Sequence, residues 1–483
     1  MLFNSLPFLF FFPAVVICYY LIPQKYRYLW LLFCSYFFYA CQEQSFTVLL
    51  MISTVITWSA GRLVYNAKSL WYKKLYVAVG FFLNLFILFY FKYSGLIFML
   101  TGRKEGINLM LPAGISFYTF QSLSYIMDCY REEVKPENNI LKYALFVSFF
   151  PCILSGPIER SKNFLPRIGK EVKWDSIRIK EGLFLMLWGY FLKMVIVSRL
   201  DILVDQVYGG GRPVGETVLY RGIPMLIAMF AYSFYIYCDF AGYSFIAIGA
   251  ARILGFDVMR NFRQPYLAVS VADFWRRWHI SLSTWFRDYL YIPLGGGRKG
   301  TLRRYINIII VFGVSGIWHG ATLNFLIWGL LHGIYQVVGY MLLPVRRRLS
   351  DKLFSKGHER IEKILNMLFT YVCVSVAWMF FREKDLSLVI DQIGRTFSGI
   401  RLTELIDGTL FDLGLGVNNL VFVIASLLIL ITVDLICEKK DCEIYSIFNT
   451  APVWIRWGFY YILFIMILFS TNLSTREFLY QGF

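Results

Sequence analysis

Charged side chains are scarce in this sequence. They make up 16% of the 483 residues, and no run of them is long enough to build a water-exposed domain. That excludes a disordered chain and an ordinary water-soluble enzyme. Cysteine is thin too: nine are scattered along the chain with no CxxC pair, so neither a disulfide-stapled module nor a zinc or redox motif is supported. No GxSxG elbow and no HExxH occur, which argues against a serine hydrolase and a metal site. Gly295, Gly296 and Gly297, followed by Arg298, Lys299 and Gly300, lack the GxxxxGK[ST] spacing of a phosphate loop and read as a flexible turn.

What is abundant is apolar. Hydrophobic residues reach 58% and aromatics 19%, with a mean hydropathy of +0.57, against roughly 45–50% apolar in a soluble domain. This composition predicts an all-α polytopic membrane protein. The net charge of +17 comes from 48 Lys and Arg against 31 Asp and Glu. In a membrane chain that excess belongs to cytoplasmic loops facing anionic lipid, not to nucleic acid.

A crossing needs about 20 mostly apolar residues. Candidate spans lie near 6–22, 28–41, 45–60, 74–92, 140–157, 181–200, 218–240, 304–318, 321–343, 363–382, 418–437 and 454–471. Loops 23–27, 61–73, 158–180, 256–303, 344–362 and 438–453 are basic, while 42–44, 201–217 and 383–417 are poor in cations or balanced. Twelve crossings with both termini outside fit the positive-inside rule. The first apolar run has no basic residue before it, and Lys25 and Arg27 follow it, so it reads as a span and not a signal peptide. Residues 106–130 and 243–255 are apolar enough to enter the bilayer, but as full spans they would invert the topology. They contain Gly114 and Gly249, with Gly242 just before the second, so short, broken or re-entrant helices packed inside protein are expected. No internal repeat and no separate soluble domain are visible, giving one membrane-embedded unit over 1–483.

The loop 256–303 is basic and aromatic. Asp273 is placed to cap a helix from Phe274 towards Leu290, in which Phe274, Trp278, Leu282, Trp285 and Tyr289 form one apolar face. The expectation is an amphipathic helix at the cytoplasmic interface, with His279 at the edge of that face.

Histidine occurs four times. His358 lies in KGHERIEK and reads as a solvated loop residue. His332, inside a span, is expected to make one structural hydrogen bond to a neighbouring helix. His319 stands apart. About 30 residues after Arg304 hold no acid or base other than histidine, too long for one crossing, so the chain must turn near Gly316–Gly320. A titratable group on such a turn is costly at bilayer depth and suited to moving protons near neutral pH. Asp239, at the end of MLIAMFAYSFYIYCDF, needs a cation, for which Arg276 or Arg277 are candidates; orienting the histidine helices is its expected role.

Four segments together resemble the membrane-bound O-acyltransferase family: ISFYTFQSLSYIMDCYR (115–131), FFPCILSGPIER (149–160), CDFAGYSFIAIGAARILGFDVMRNFRQPYLAVSVADFWRRWHISLSTWFRDYLYIPLGGGRKG (238–300) and GVSGIWHGATLNFLIWGLLHG (313–333). The pairing of RRWHISLSTWFRDYLYIPLGG with IWHGA is specific, and the match covers most of 110–335. The branch it most resembles includes the alginate O-acetylation membrane protein, and the closing STREFLYQGF is similar to that branch's aromatic tail. DFAGYSF, with Ala241 and Phe245 where the alginate type has DFSGYSD, is closer to the teichoic acid D-alanyl transferase of the same family.

The resemblance implies a ring of about 11–12 tilted helices, with re-entrant and interfacial helices, around a central tunnel. It implies a catalytic histidine at His319 with His279 supporting it. Trp278, Asp239, Trp318, Arg276, Arg277 and Asn324 would line the tunnel or bind the donor. No cofactor or metal is expected; acetyl-CoA is the expected donor substrate. The implied partners are a cytoplasmic acyl thioester, an extracellular hydrolase-like transferase of the SGNH type and a cell-surface polysaccharide, in a bacterial cell membrane. Arg260, Arg263, Arg276, Arg277, Arg298 and Lys299 would suit the donor's phosphates, with positive-inside topology as the alternative explanation of most of those charges. His319 would act as general base or transient nucleophile. Competing readings are a transporter or flippase, with His319 and Asp239 relaying protons, and a scaffold for a secreted transferase.

Overall fold

A computed structural model describes residues 1–42, 44–100, 110–209, 220–353, 359–383 and 385–470. His358 and the tail STREFLYQGF lie outside these described residues. The described residues are helices and turns, with no strand among them.

In chain order the helices are α1 (Leu6–Leu21), α2 (Arg27–Ala40), α3 (Gln44–Asn66), α4 (Leu70–Leu100), α5 (Ile115–Tyr130), α6 (Ile140–Ser148), α7 (Phe150–Ile153), α8 (Ser161–Phe164) and α9 (Ser176–Tyr190). A π-helical stretch, Phe191–Val197, joins α9 to α10 (Ser198–Tyr208). There follow α11 (Ile223–Ile253), α12 (Val271–Arg277), α13 (Ile280–Phe286), α14 (Thr301–His319), α15 (Leu323–Met341), α16 (Leu343–Leu353), α17 (Glu359–Arg382), α18 (Leu386–Thr396), α19 (Gly416–Lys440), α20 (Ile444–Asn449) and α21 (Val453–Leu468).

Among the described residues, six stretches are long and apolar enough to cross a membrane: α3, α4 over Leu70–Ser94, α9 through α10, α11, α17 and α19. The twelve expected crossings are thus not twelve full-length helices. α1 and α21 have 16 residues each and α2 has 14. The expected span 140–157 is broken at Phe149, where Pro151 lies in the first turn of α7. The segment 243–255 is not a separate broken helix but the end of α11, which runs unbroken for 31 residues. α5 is packed inside protein as expected, with every residue except Met127 and Tyr130 buried, yet it too is unbroken.

Side-chain distribution is inverted relative to a water-soluble protein. Phe10, Phe82, Phe86, Leu428 and Phe464 on outer helices are exposed, while Asp239, Lys193, His279, His319 and His332 are buried. Such a surface faces hydrocarbon.

Two helix crossings set the interior. α9 meets α11 through glycines. A Cβ on Gly189 would lie 2.5 Å from the Gly242 carbonyl oxygen, and one on Gly249 2.4 Å from that of Gly182. α14 meets α15 the same way: a Cβ on Gly329 would sit 2.3 Å from the Phe312 oxygen. Small residues replace hydrophobic drive as the means of close helix approach in lipid.

Candidate active site

α14 ends at His319, and Gly320 to Thr322 turn the chain into α15. A helix end leaves carbonyls without intrahelical donors. Here α4 supplies them: Lys92 Nζ donates to the Trp318 oxygen at 2.5 Å, and the Tyr93 hydroxyl donates to that of Ile317. The ammonium also lies 3.4 Å from Ser116 Oγ and 5.4 Å from the centre of the Trp318 ring. A cation at a helix C-terminus is favourable by about 0.3–1 kcal/mol and more when buried.

His319 is 2% exposed. Its ring packs edge-on against Trp318 at 4.7 Å, Trp328 at 4.8 Å and Phe381 at 5.2 Å. Among the described residues, the indole N–H groups of Trp318 and Trp328 are buried without a hydrogen-bond partner. A buried orphan donor costs about 1–3 kcal/mol. Beside an imidazole, such donors suit a carbonyl oxygen that gains charge.

His279 comes from the other side. The expected continuous helix 274–290 is broken at this residue. α12 is capped by the Ser270 hydroxyl, not by Asp273; α12 stops at Arg277, and His279 takes left-handed φ +42° before α13 begins. That conformation costs about 1–2 kcal/mol for a residue with a Cβ. The break is held by a distant segment: Ile280 N–H donates to the Asn261 oxygen at 2.9 Å, and Arg263 N–H to that of Arg277 at 2.9 Å. The histidine is therefore not at an interfacial edge but 1% exposed. Its ring meets Phe240 at 4.6 Å and Trp318 at 6.5 Å. Trp318 thus touches both imidazoles.

His332 accepts a hydrogen bond on Nδ1 from Trp275 Nε1 of α12, at 3.2 Å. Trp278 is buried between Phe274 at 5.4 Å and Trp378 at 5.0 Å. Asn324 donates to the Glu383 carbonyl at 2.6 Å and so ties α15 to the end of α17. Asp239 is paired not with Arg276 or Arg277 but with Lys193, in the π-helical stretch. The tight glycine contact of α9 with α11 brings the two within reach. Arg277 is taken by Glu438 at 2.6 and 3.0 Å and by Asp273 at 3.0 Å, and Arg276 is turned outward, 73% exposed. Arg260 and Arg263 likewise meet Glu443 and Asp441, so acids around the α19–α20 corner balance much of the basic loop.

His319 lines none of the three cavities whose walls are described. The most spacious, about 590 Å³, runs along α14 and is walled by Trp275, Arg276, Ser283, Arg287, Phe312 and Ser315 among others. Arg276 faces this space. Ser315 is one turn before His319 on the same helix. A smaller cavity of about 160 Å³ includes Arg252, Arg260 and Asn261 in its wall. Among the described residues no cluster of His, Cys, Asp or Glu could hold a metal ion.

Sequence reasoning missed Lys92 and Asn261. The first carried a signal: α4 continues through apolar residues beyond it, which leaves a cation inside a membrane helix.

The sequence profile of the membrane-bound O-acyltransferase family matches residues 18–381. A protein of Pseudomonas putida named as a probable alginate O-acetylase is 36% identical over 410 residues, covering 82% of this chain and 80% of its own. The peptidoglycan O-acetyltransferase of Helicobacter pylori is 35% identical over 425 residues, covering 80% and 78%. The teichoic acid D-alanyltransferase of Bacillus subtilis is 29% identical over 234 residues, covering 47% and 58%.

Proposed function

The chain belongs to the membrane-bound O-acyltransferase family, and we propose that it moves an acetyl group from cytoplasmic acetyl-CoA across the bacterial cell membrane for O-acetylation of a cell-surface polysaccharide. It is an O-acyltransferase and a multi-pass membrane protein. The observation that carries the mechanism is the pair of buried imidazoles, from segments 40 positions apart, meeting on one indole, Trp318. The acetyl reading draws support from O-acetylating relatives that cover 80% or more of the chain, against under half for the B. subtilis D-alanyl relative.

His319 takes the proton from an acceptor hydroxyl as its oxygen attacks the thioester carbonyl. The carbon–sulfur bond breaks, the proton passes to the departing sulfur, and free coenzyme A thiol leaves. The Trp318 and Trp328 N–H groups steady the carbonyl oxygen. The donor comes in from the face bearing the loop 256–303, past Arg276 and Arg287 along the 590 Å³ cavity, whose wall reaches Ser315, one helical turn before His319. An extracellular hydrolase-like transferase receives the acetyl group and places it on the polymer. D-alanyl transfer is the second reading, favoured by Ala241 and Phe245 in DFAGYSF. The test is thiol release by the purified protein supplied with acetyl-CoA, polysaccharide and secreted transferase. Steady release supports acyl transfer; its complete absence favours transport.

A further inference from the structure

The polar surroundings of His279 form a directed chain. The Ile158 N–H donates to Ser281 Oγ at 3.0 Å. The Ser281 hydroxyl donates to Asn261 Oδ1 at 2.6 Å. That separation is normal for O–H···O and short for N–H···O, which fixes the amide with its oxygen towards the serine. The same Oδ1 faces His279 Nδ1 at 3.4 Å. A carbonyl oxygen repels a bare ring lone pair and attracts an N–H, so the ring proton belongs on Nδ1. Among the described residues, His279 Nε2 is buried without a hydrogen-bond partner, as is Asn261 Nδ2. All three residues are at most 1% exposed.

We infer that Asn261, locked by Ser281, is a positioning residue that holds His279 in the Nδ1–H tautomer and leaves the Nε2 lone pair as a proton acceptor in the ring box shared with His319. This rests on the proposed acyl transfer for its use, but not for its test. Asn261, in the segment after α11, reaches His279, and Ile158, in the loop after α7, reaches Ser281, so the tautomer is set by tertiary structure.

The test is ¹⁵N NMR of the purified full-length protein in detergent, labelled at histidine, with the His279 signals identified by their loss in His279→Gln. Wild type is expected to show the Nδ1–H pattern. Ser281→Ala frees the amide to turn, and Asn261→Leu removes the acceptor; both are expected to shift His279 towards the Nε2–H or a mixed pattern. Ser281→Thr and Asn261→Asp keep the acceptor and are expected to keep the wild-type pattern. An Nε2–H pattern in wild type, or no change in Ser281→Ala and Asn261→Leu, overturns the inference. Should those two variants fail to fold, wild type alone decides. Acyl transfer, measured separately, is expected to fall about tenfold or more in Ser281→Ala and to return in Ser281→Thr. Failure of the acylation assay with the expected tautomer present would count against the proposed function alone.

Discussion

Replacing Lys193 with Met removes the cation that Asp239 uses inside the membrane helices. The side chains of the pair are 5% and 1% exposed, and the ammonium also lies 5.1 Å from the centre of the Tyr243 ring. An exposed ion pair contributes about 0–1 kcal/mol, because water screens it and keeps either partner soluble alone. A buried pair behaves differently. Deleting one partner removes a countercharge that offset the other's desolvation, and the cost is about 3–5 kcal/mol. The loss falls where Gly189 and Gly242 bring α9 and α11 together, a contact that tolerates no compensating side chain. We expect Lys193→Met to lower unfolding free energy in detergent by about 3–5 kcal/mol, and the double change Lys193→Met with Asp239→Asn to recover much of that loss. Denaturant unfolding of the solubilised protein, in a full double-mutant cycle, reads both numbers. A single-variant loss below about 1 kcal/mol would refute the reasoning, because the pair would then behave as if it stood in water.

Three further outcomes are expected. Lys92→Met removes the cation on the last turn of α14; stability should fall by about 1 kcal/mol while turnover falls further, and Lys92→Arg should retain more turnover, measured as acyl transfer per mole of protein. Trp275→Phe deletes the bond to His332 and should cost about 1 kcal/mol of stability with acyl transfer largely kept; a loss of activity like that of a His319 variant would bring His332 into the chemistry. Gly329→Ala drives a methyl into the Phe312 carbonyl at 2.3 Å, and overpacking of this kind should cost about 1–3 kcal/mol in unfolding experiments.

What was legible in the sequence had local causes. The apolar composition and the thirty-residue stretch after Arg304 forced a multi-pass fold with a bend beside His319, and α14 does end there. His332, flanked by apolar residues, reads as making one structural hydrogen bond to a neighbouring helix, and Trp275 of α12 provides it. What was hidden depended on distant partners. The apolar face from Phe274 to Tyr289 continues without interruption in sequence, so periodicity showed no break. The break arises because backbone groups of Asn261 and Arg263 capture Ile280 and Arg277. The basic loop offers Asp239 arginines as partners, but Glu438 and Asp273 hold Arg277 and the glycine crossing delivers Lys193 instead. The target of Lys92 lies 226 positions along the chain, beyond any local pattern.

Everything proposed for the chemistry converges on the imidazole at the end of α14. The most direct measurement is the acyl content of the surface polymer in cells carrying His319→Ala at the wild-type membrane level. The account predicts that acylation falls to the background of cells lacking the protein. Acylation equal to wild type would contradict it, and would leave the chain a scaffold for a transferase acting elsewhere.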